Sequence, residues 1–501
     1  MPSSLSHKFL NRVESLGNRL PHPTLLFVFL CVLIPLLSAL FAWWGVSVTH
    51  PVSGELITAT NLISGEGLQL VLERTVSNFI HFAPVGTVLV AIMGIGIAEH
   101  SGLIGTLLKA VVMRAPERLL TFLVVLTGVI SSIAADSGYV VLIPLAGMLF
   151  HAMGRSPIAG ITAAFAGVSG GFSANILITP LDAILAGLST EAAALIDNRY
   201  EVTAAGNYYF TAGSSLVIAL TATWVTEKII LPRFSDTISP AVAPAPVTLR
   251  EKRALQAVGL FTLIFAALLL WGLLPDDGVL RDPESGEILR SPFITGIVTI
   301  IAVYAAICGC LYGWLSGAYT RASDAIEGME SSIATMATYL VLMFFAAQFV
   351  NYFAWSQLGI ISAIKGASLL EALNPGTTLL LISFVVLTAV INLLIGSASA
   401  MWALVAPVFI PMFMLSGISP EATQAAYRIG DSVTNIITPF MPYFGVVVAF
   451  AQRHDKRVGV GTILAAMLPY SLALLASWSL LLALWIGFDL PLGPGAPIFL
   501  R

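Results

Sequence analysis

The sequence predicts an all-α integral membrane protein, and three observations carry that prediction. Of its 501 residues, 57% are hydrophobic and only 10% charged, with a mean hydropathy of +0.92, so most of the chain cannot present a surface to water. Apolar runs of about 20 residues, the length that crosses a bilayer, recur along the whole chain. A segment rich in Gly, Pro, Ser, Thr and Asn occurs twice inside such runs. Pro144 and Pro407, Gly154 and Gly417, Ser156 and Ser419, Pro157 and Pro420, and Gly167 and Gly430 each stand 263 positions apart (417 − 154). Ser173 and Ser432, Thr179 and Thr438, and Pro180 and Pro439 stand 259 apart (438 − 179). Helix breakers repeated in matching hydrophobic spans mark broken membrane helices, which frame the binding sites of secondary transporters.

Each element follows from span length and from where Lys and Arg accumulate, since basic loops stay cytoplasmic. The N-terminus, with Lys8, Arg12 and Arg19, goes to the cytoplasm. The first span, near 24–45, lacks a small-residue cleavage signature and reads as retained rather than as a signal peptide. It emerges into a loop with Glu55 and Glu66. A second span near 82–99 returns to Lys109, Arg114 and Arg118, with a short helix near 101–113. The stretch 119–150 is interrupted by polar residues at 131–138 and has basic flanks at both ends. It therefore reads as a re-entrant hairpin, tolerated at membrane depth only where protein or a water-filled cavity surrounds its tip. The next span, 157–189, is broken by Gly167, Gly170, Gly171 and Pro180 and ends outside among Glu191, Asp197 and Glu201.

Unbroken spans follow near 205–228, 255–275 and 292–316, joined by a basic loop (228–253) and an acidic one (276–290). A span near 331–350 leads to an interfacial stretch over 351–375. A second hairpin over 377–412, with its tip at 396–399, has no Lys or Arg between Lys365 and Arg428 and so enters from outside. A second broken span near 420–452 delivers Arg453, Lys456 and Arg457 to the cytoplasm, and a last span near 459–487 leaves the C-terminus outside. The expected architecture is nine transmembrane helices plus two re-entrant helical hairpins that approach from opposite faces, making inverted-topology repeats with broken helices. Residues 1–118 then supply N-terminal spans and a scaffold or dimerisation region. Residues 119–189 and 377–452 form the two repeat cores, 190–376 the connecting and scaffold spans, and 453–501 the last span and tail.

Composition also excludes several functions. A net charge of −4 with no clustered basic face argues against a nucleic-acid partner. Walker loops, nucleophile elbows and zinc-binding His-Glu-x-x-His motifs are missing from the sequence, so an ATP-driven pump, a membrane metalloprotease and a membrane enzyme are disfavoured. A gradient-independent facilitator or channel stays as the rival to a coupled transporter. Cys31, Cys308 and Cys310 lie in apolar runs, which speaks for packing rather than disulfides or a metal site.

Charged residues deep in a span cost about 3 kcal/mol each and ask for a reason. Arg428 and Asp431, three apart on one helical face, can pair, with Glu421 nearer the helix end. They read either as a salt bridge holding the bundle, or as a guanidinium fork for a substrate carboxylate held by an acid that responds to a proton or cation. Asp182, just past Pro180, is the only acid of the first broken span. It is an ion-coupling candidate, or else a carboxylate near a helix end. Asp136 and Ser397 at the hairpin tips, with Ser173, Asn175 and Asn435 at the breaks, form a candidate sodium set beside exposed helix termini. Ser and Thr otherwise bond back to their own helix. Asn392 and Ser399 border the second tip. Trp402 either stacks on an aromatic substrate or packs. Pro420 and Pro439 start or break helices.

Four stretches together resemble the p-aminobenzoyl-glutamate (AbgT) transporter family over essentially the whole chain: Ala135-Asp-Ser-Gly-Tyr-Val-Val-Leu-Ile-Pro144, Phe172-Ser-Ala-Asn-Ile-Leu-Ile-Thr-Pro-Leu-Asp182, Gly396-Ser-Ala-Ser-Ala-Met-Trp402 and Tyr427-Arg-Ile-Gly-Asp-Ser-Val-Thr-Asn-Ile-Ile-Thr-Pro439. The resemblance implies a homodimeric transporter of the bacterial inner membrane. It also implies uptake of p-aminobenzoyl-glutamate or export of folate-pathway metabolites and sulfonamide drugs. Family functional positions would fall on Asp182, Asn392, Ser399, Trp402, Pro420, Arg428, Asp431 and Pro439, with sodium near the tips and breaks. The expected partners are a lipid bilayer, a small aromatic anion and a second copy of the chain. No cofactor is expected beyond a bound sodium ion.

Overall fold

Backbone groups in lipid must find their hydrogen bonds within their own segment, and the described residues are accordingly mostly helical. The computed structural model describes residues 23–49, 54–133, 138–234, 246–275, 277–283, 285–288, 291–373, 375–438, 441 and 443–500. Among these, eight helices are long and apolar enough to cross a membrane, or nine if the bent pair Leu103–Met113 and Glu117–Ile133, at 117° to each other, counts as one. Seven of the eight fall on the unbroken spans expected from sequence: Thr24–Trp43, Gly65–His100, Tyr208–Arg233, Leu249–Leu273, Ile297–Ser316, Ala337–Trp355 and Val460–Gly487. The eighth, Ala398–Leu415, is the second arm of the expected second hairpin. Leu25, Phe29, Val32 and Leu36 on the first helix are exposed, as are Leu260, Leu263, Ile264 and Trp271 on Leu249–Leu273. Apolar faces of this extent call for lipid.

Three details differ from the sequence reading. The loop expected between the first two spans contains a 16-residue helix, Gly65–Ile80, ahead of Ala83–His100. The span expected near 331–350 is preceded by a separate helix, Ser323–Thr335, which joins Ala337–Trp355 at Met336. The stretch 351–375, expected to be interfacial, contains a 16-residue helix, Leu358–Leu373. Strand among the described residues is confined to one antiparallel ribbon, Ser47–Thr49 with Leu56–Thr58.

The segments that matched in sequence play matched structural parts. Pro157–Gly170, an irregular stretch and Pro180–Ala193 follow one another in the first half. Pro420–Asn435, a second irregular stretch and Phe444–Gln452 follow in the second. Pro157 and Pro420 each occupy the first turn of a helix that a serine precedes, the position where a missing N–H costs nothing. Just before them, Gly154 and Gly417 take φ of 68° and 78°, a left-handed turn that favours glycine. Further on, Gly167 lies against the backbone of Val125 and Gly430 against the backbone of Val385, leaving no room for a Cβ at either. Small residues at such crossings let two backbones touch.

Between these crossings runs the least expected element. Every residue from Pro420 to Asn435 is buried, although the helix carries Glu421, Arg428 and Asp431. A helix this polar is tolerated there only because protein surrounds it on all sides. It packs against Thr377–Asn392, Ala398–Leu415, Val460–Gly487 and Pro180–Ala193.

Candidate functional site

The two breaks bring their polar residues together. Pro180 occupies the first turn of its helix, and Thr179 and Asp182 form a capping box around that terminus. Asp182 Oδ2 accepts from the Thr179 N–H at 2.6 Å and from its hydroxyl at 2.7 Å. This fixes the carboxylate in the first turn, where the helix dipole favours negative charge. Its other oxygen, Oδ1, meets Nη2 of Arg428 at 2.7 Å. Arg428 is 2% exposed. Its Nη1 donates to the carbonyl of Ser173 at 3.3 Å and its Nε to Oδ1 of Asn207 at 3.1 Å. One cation is thus held by a carboxylate and a carbonyl from the first break and by an amide from outside both breaks.

The pairing expected between Arg428 and Asp431 does not form. Three-residue spacing puts both on one side of the helix, but the guanidinium reaches across to the neighbouring helix, where Asp182 offers a capped carboxylate. Asp431, fully buried, accepts instead from the Ser173 hydroxyl and the Tyr427 hydroxyl, both at 3.4 Å. Ser173 also donates its N–H to the hydroxyl of Ser432 at 3.1 Å, so the serines that match in sequence touch in space.

Asn392, fully buried at the end of Thr377–Asn392, ties this arm to the second break. Its Nδ2 donates to the carbonyl of Asp431, to Thr434 Oγ1 at 3.0 Å and to Asn435 Oδ1 at 2.9 Å. Asn392 Oδ1 is buried without a hydrogen-bond partner among the described residues. The first half has a counterpart: Asn175 Nδ2 donates to the carbonyls of Val129 and Ile130 and to Ser132 Oγ at 2.9 Å. Asn175 and Asn435 stand 260 positions apart, as do Ser132 and Asn392 (435 − 175, 392 − 132).

Ser397 caps the arm Ala398–Leu415, accepting from the Ala400 N–H at 3.4 Å, and its hydroxyl lies 3.4 Å from that of Ser399. Trp402 is fully buried. Its indole N–H donates to the Leu185 carbonyl and to Ser189 Oγ, and its ring lies 4.4 Å from that of Tyr427. In this conformation Trp402 packs the second arm onto the helix that carries Asp182. Asp136 and Pro439 lie outside the described residues.

Sequence reasoning missed Asn207 and Thr179. Thr179-Pro-Leu-Asp182 has the spacing of a capping box and signalled its role. Asn207 sends no comparable signal, being a lone amide before an apolar span.

Buried helix breaks and an ion pair between two of them, in a bundle of membrane-length helices, define a multi-pass membrane transporter. Residues 8–500 match the family described as "AbgT putative transporter family". The p-aminobenzoyl-glutamate transport protein of Escherichia coli (strain K12) is 35% identical over 494 residues, 98% of this chain and 97% of that protein. The solved structure of the YdaH transporter of Alcanivorax borkumensis, described as having an unusual topology, superposes with a TM-score of 0.92 at 52% identity, covering 95% of this chain and all of that one. MtrF of Neisseria gonorrhoeae, described as illuminating a class of antimetabolite efflux pumps, superposes with a TM-score of 0.90 at 44% identity, covering 98% and 100%. The chain belongs to the AbgT transporter family.

Proposed function

We propose that this protein is a secondary active transporter of the bacterial inner membrane that exports p-aminobenzoyl-glutamate, related folate-pathway metabolites and sulfonamides by alternating access, driven by a proton or sodium gradient. The carrying observation is the buried Arg428–Asp182 pair, which joins the two broken helices at 2.7 Å. A guanidinium never deprotonates and matches a carboxylate with two parallel donors. A substrate carboxylate therefore competes with Asp182 for the same fork. Once Arg428 turns to the substrate, Asp182 loses its counter-charge and takes up the coupling proton or cation, while Asp431 and its hydroxyl donors respond to the same shift. The substrate class follows the E. coli relative and the export direction the N. gonorrhoeae one.

The matched glycines, serines and asparagines support reading 119–189 and 377–452 as inverted repeats within a nine-span, two-hairpin topology, with 1–118 and 190–376 as scaffold and 453–501 as the last span and tail. The loop charges support a cytoplasmic N-terminus and a periplasmic C-terminus. A homodimer rests on the family resemblance. An oxygen-only donor set suits a sodium ion. Asn392 Oδ1 is a buried oxygen still available for one, whereas Ser173, Asn175 and Asn435 are engaged in the hydrogen bonds between breaks and arms.

The test is flux of radiolabelled p-aminobenzoyl-glutamate and a sulfonamide in proteoliposomes under a proton gradient and a sodium gradient applied separately. Saturable movement against the concentration gradient under one of them is expected. Movement indifferent to both would replace the coupled transporter with a facilitator.

A further inference from the structure

Residues 194–207 connect the helices Pro180–Ala193 and Tyr208–Val225 and lie over the N-terminal end of Pro420–Asn435, the end that loop charge assigns to the outside. They grip that helix at two points. The Tyr200 hydroxyl donates to Glu421 Oε2 at 2.8 Å, and Asn207 Nδ2 donates to the Glu421 carbonyl at 2.9 Å. The other atom of the same amide, Asn207 Oδ1, accepts Nε of Arg428 at 3.1 Å. Asn207 is 2% exposed and Glu421 4%, so neither contact is a surface accident. Of the three protein groups that set the plane of the Arg428 guanidinium, Asn207 alone comes from outside the helix breaks.

The surroundings of Glu421 explain why its contact with Tyr200 matters. Thr377–Asn392, Ala398–Leu415 and Val460–Gly487, all packed against its helix, carry no charged residue, and Pro180–Ala193 carries only Asp182 and Glu191. On its own helix the other charged groups are Arg428, engaged with Asp182 and Asn207, and Asp431. No cation among the described residues forms an ion pair with Glu421, and the Tyr200 hydroxyl is its side-chain partner. Burial, then the charge of Glu421, pushes the Tyr200 phenol well above its usual pKa, so this hydroxyl stays a donor. The C-terminal tail closes over the same end: the Ser419 N–H donates to the Ile498 carbonyl, Leu500 to Gly417 and Phe210 to Leu492.

We propose that residues 194–207 form a strap clamping the helix that carries Arg428, with Asn207 as a positioning residue that orients the guanidinium and the Tyr200–Glu421 pair as the latch that keeps the strap shut. Opening the strap withdraws an acceptor from Arg428 Nε, so access from the outer side and loosening of the substrate's anchor occur together. One bond between a hydroxyl and a carboxylate is strong enough to hold a closed state and weak enough to be broken in turnover. The inference rests on the reading of Arg428 as the carboxylate-binding group.

The experiment uses the full-length protein in proteoliposomes, with saturation kinetics for p-aminobenzoyl-glutamate and amide hydrogen exchange across 195–206. Asn207→Leu should raise KM about tenfold or more with a smaller change in kcat. Asn207→Asp, which keeps an oxygen for Nε, should recover most of that loss. Should Asn207→Leu fail to insert, Asn207→Ser carries the same expectation. Tyr200→Phe should speed exchange of the strap amides severalfold, and Glu421→Gln, which keeps an acceptor, should leave them near wild type. A wild-type KM in a well-expressed Asn207→Leu, or unchanged exchange in Tyr200→Phe, overturns the strap. If Arg428→Ala itself still transports, the substrate reading fails instead, and strap exchange in Tyr200→Phe decides the latch separately.

Discussion

The two broken spans share a backbone plan and divide the chemistry. Both open with a serine, a proline and a left-handed glycine just upstream, and both cross their hairpin arm at a glycine pressed on backbone. Both end in an asparagine that bonds the arm. Their charges differ. The first span places Asp182 after its break at a capped helix terminus, whereas the second carries Glu421, Arg428 and Asp431 before its break, inside a helix buried on every side. The same geometry thus presents an anion from one half and a cation from the other, and the pair forms across the contact between halves. The difference teaches that positions which set helix crossings are held alike, while positions that face the contact are free to specialise.

The largest effects should follow from removing one side of that pair. Arg428→Ala leaves Asp182 buried without its counter-charge. Breaking a buried pair this way costs about 3 to 5 kcal/mol, and transport of a carboxylate substrate should fall by at least about 100-fold, since the fork is gone. Arg428→Lys should not restore it, because an ammonium has no planar fork. Asp182→Asn should also impair transport, and a double-mutant cycle of Asp182→Asn with Arg428→Gln should show a coupling of about 1 kcal/mol or more in thermal unfolding. Additive single effects would mean that the two residues act independently and that the halves are not joined through them.

Next come the crossings. Gly167→Ala and Gly430→Ala each force a methyl group into backbone, at Val125 and Val385 respectively. Overpacking of this kind costs about 1 to 3 kcal/mol, which outweighs the gain of about 1 kcal/mol from better helix propensity. The two substitutions should destabilise by similar amounts in detergent melts. A neutral result at one glycine alone would show that the halves are packed differently. Smaller still should be Asn175→Ala and Asn435→Ala, each losing side-chain hydrogen bonds worth about 1 kcal/mol apiece. Asn175→Ala should cost the more, because it removes the donor to the Val129 and Ile130 carbonyls and to Ser132 Oγ together with the acceptor of the Leu177 N–H, and the ranking can be read from paired melting curves.

The sequence carried most of the fold. Hydrophobic length, loop charge and repeated breakers located seven helices of membrane length and both irregular breaks, because each signal is local or periodic. It also carried the identity of Arg428, Asp182 and Asn392, since an ionisable or amide side chain in an apolar run announces itself. Partnerships were not legible. Helical spacing relates only residues on one helix, so it joined Arg428 to Asp431, three positions away. The true partner, Asp182, is 246 positions away (428 − 182), a relation that only the packing of two helices sets. Asn207 was invisible for the same reason: nothing in a lone amide at a span boundary states which buried donor it will meet. Trp402 shows the converse, a residue whose chemistry suggested a substrate and whose indole is taken up by Leu185 and Ser189.

The smallest expected effect lies where the halves meet at the basic loop. His151, at the end of the first hairpin, is buried with Nδ1 unpartnered among the described residues, and its ring lies 6.0 Å from that of His454, in the turn after Phe444–Gln452. Burial first, then the neighbouring His151 and Arg453, hold the His454 imidazole below its usual value of 6.5. The unfolded chain therefore takes up this proton before the folded one as pH falls. The stability that the neutral ring contributes is complete above pH 6.5 and is lost as pH drops through the lower folded value. Melting temperatures of the wild type and of His454→Gln, measured from pH 7.5 to 5, should converge on the acid side, with the variant showing the flatter profile. An equally steep acid loss in the variant would place the titrating group elsewhere, and the contact between the two halves at this end would then be held by packing alone.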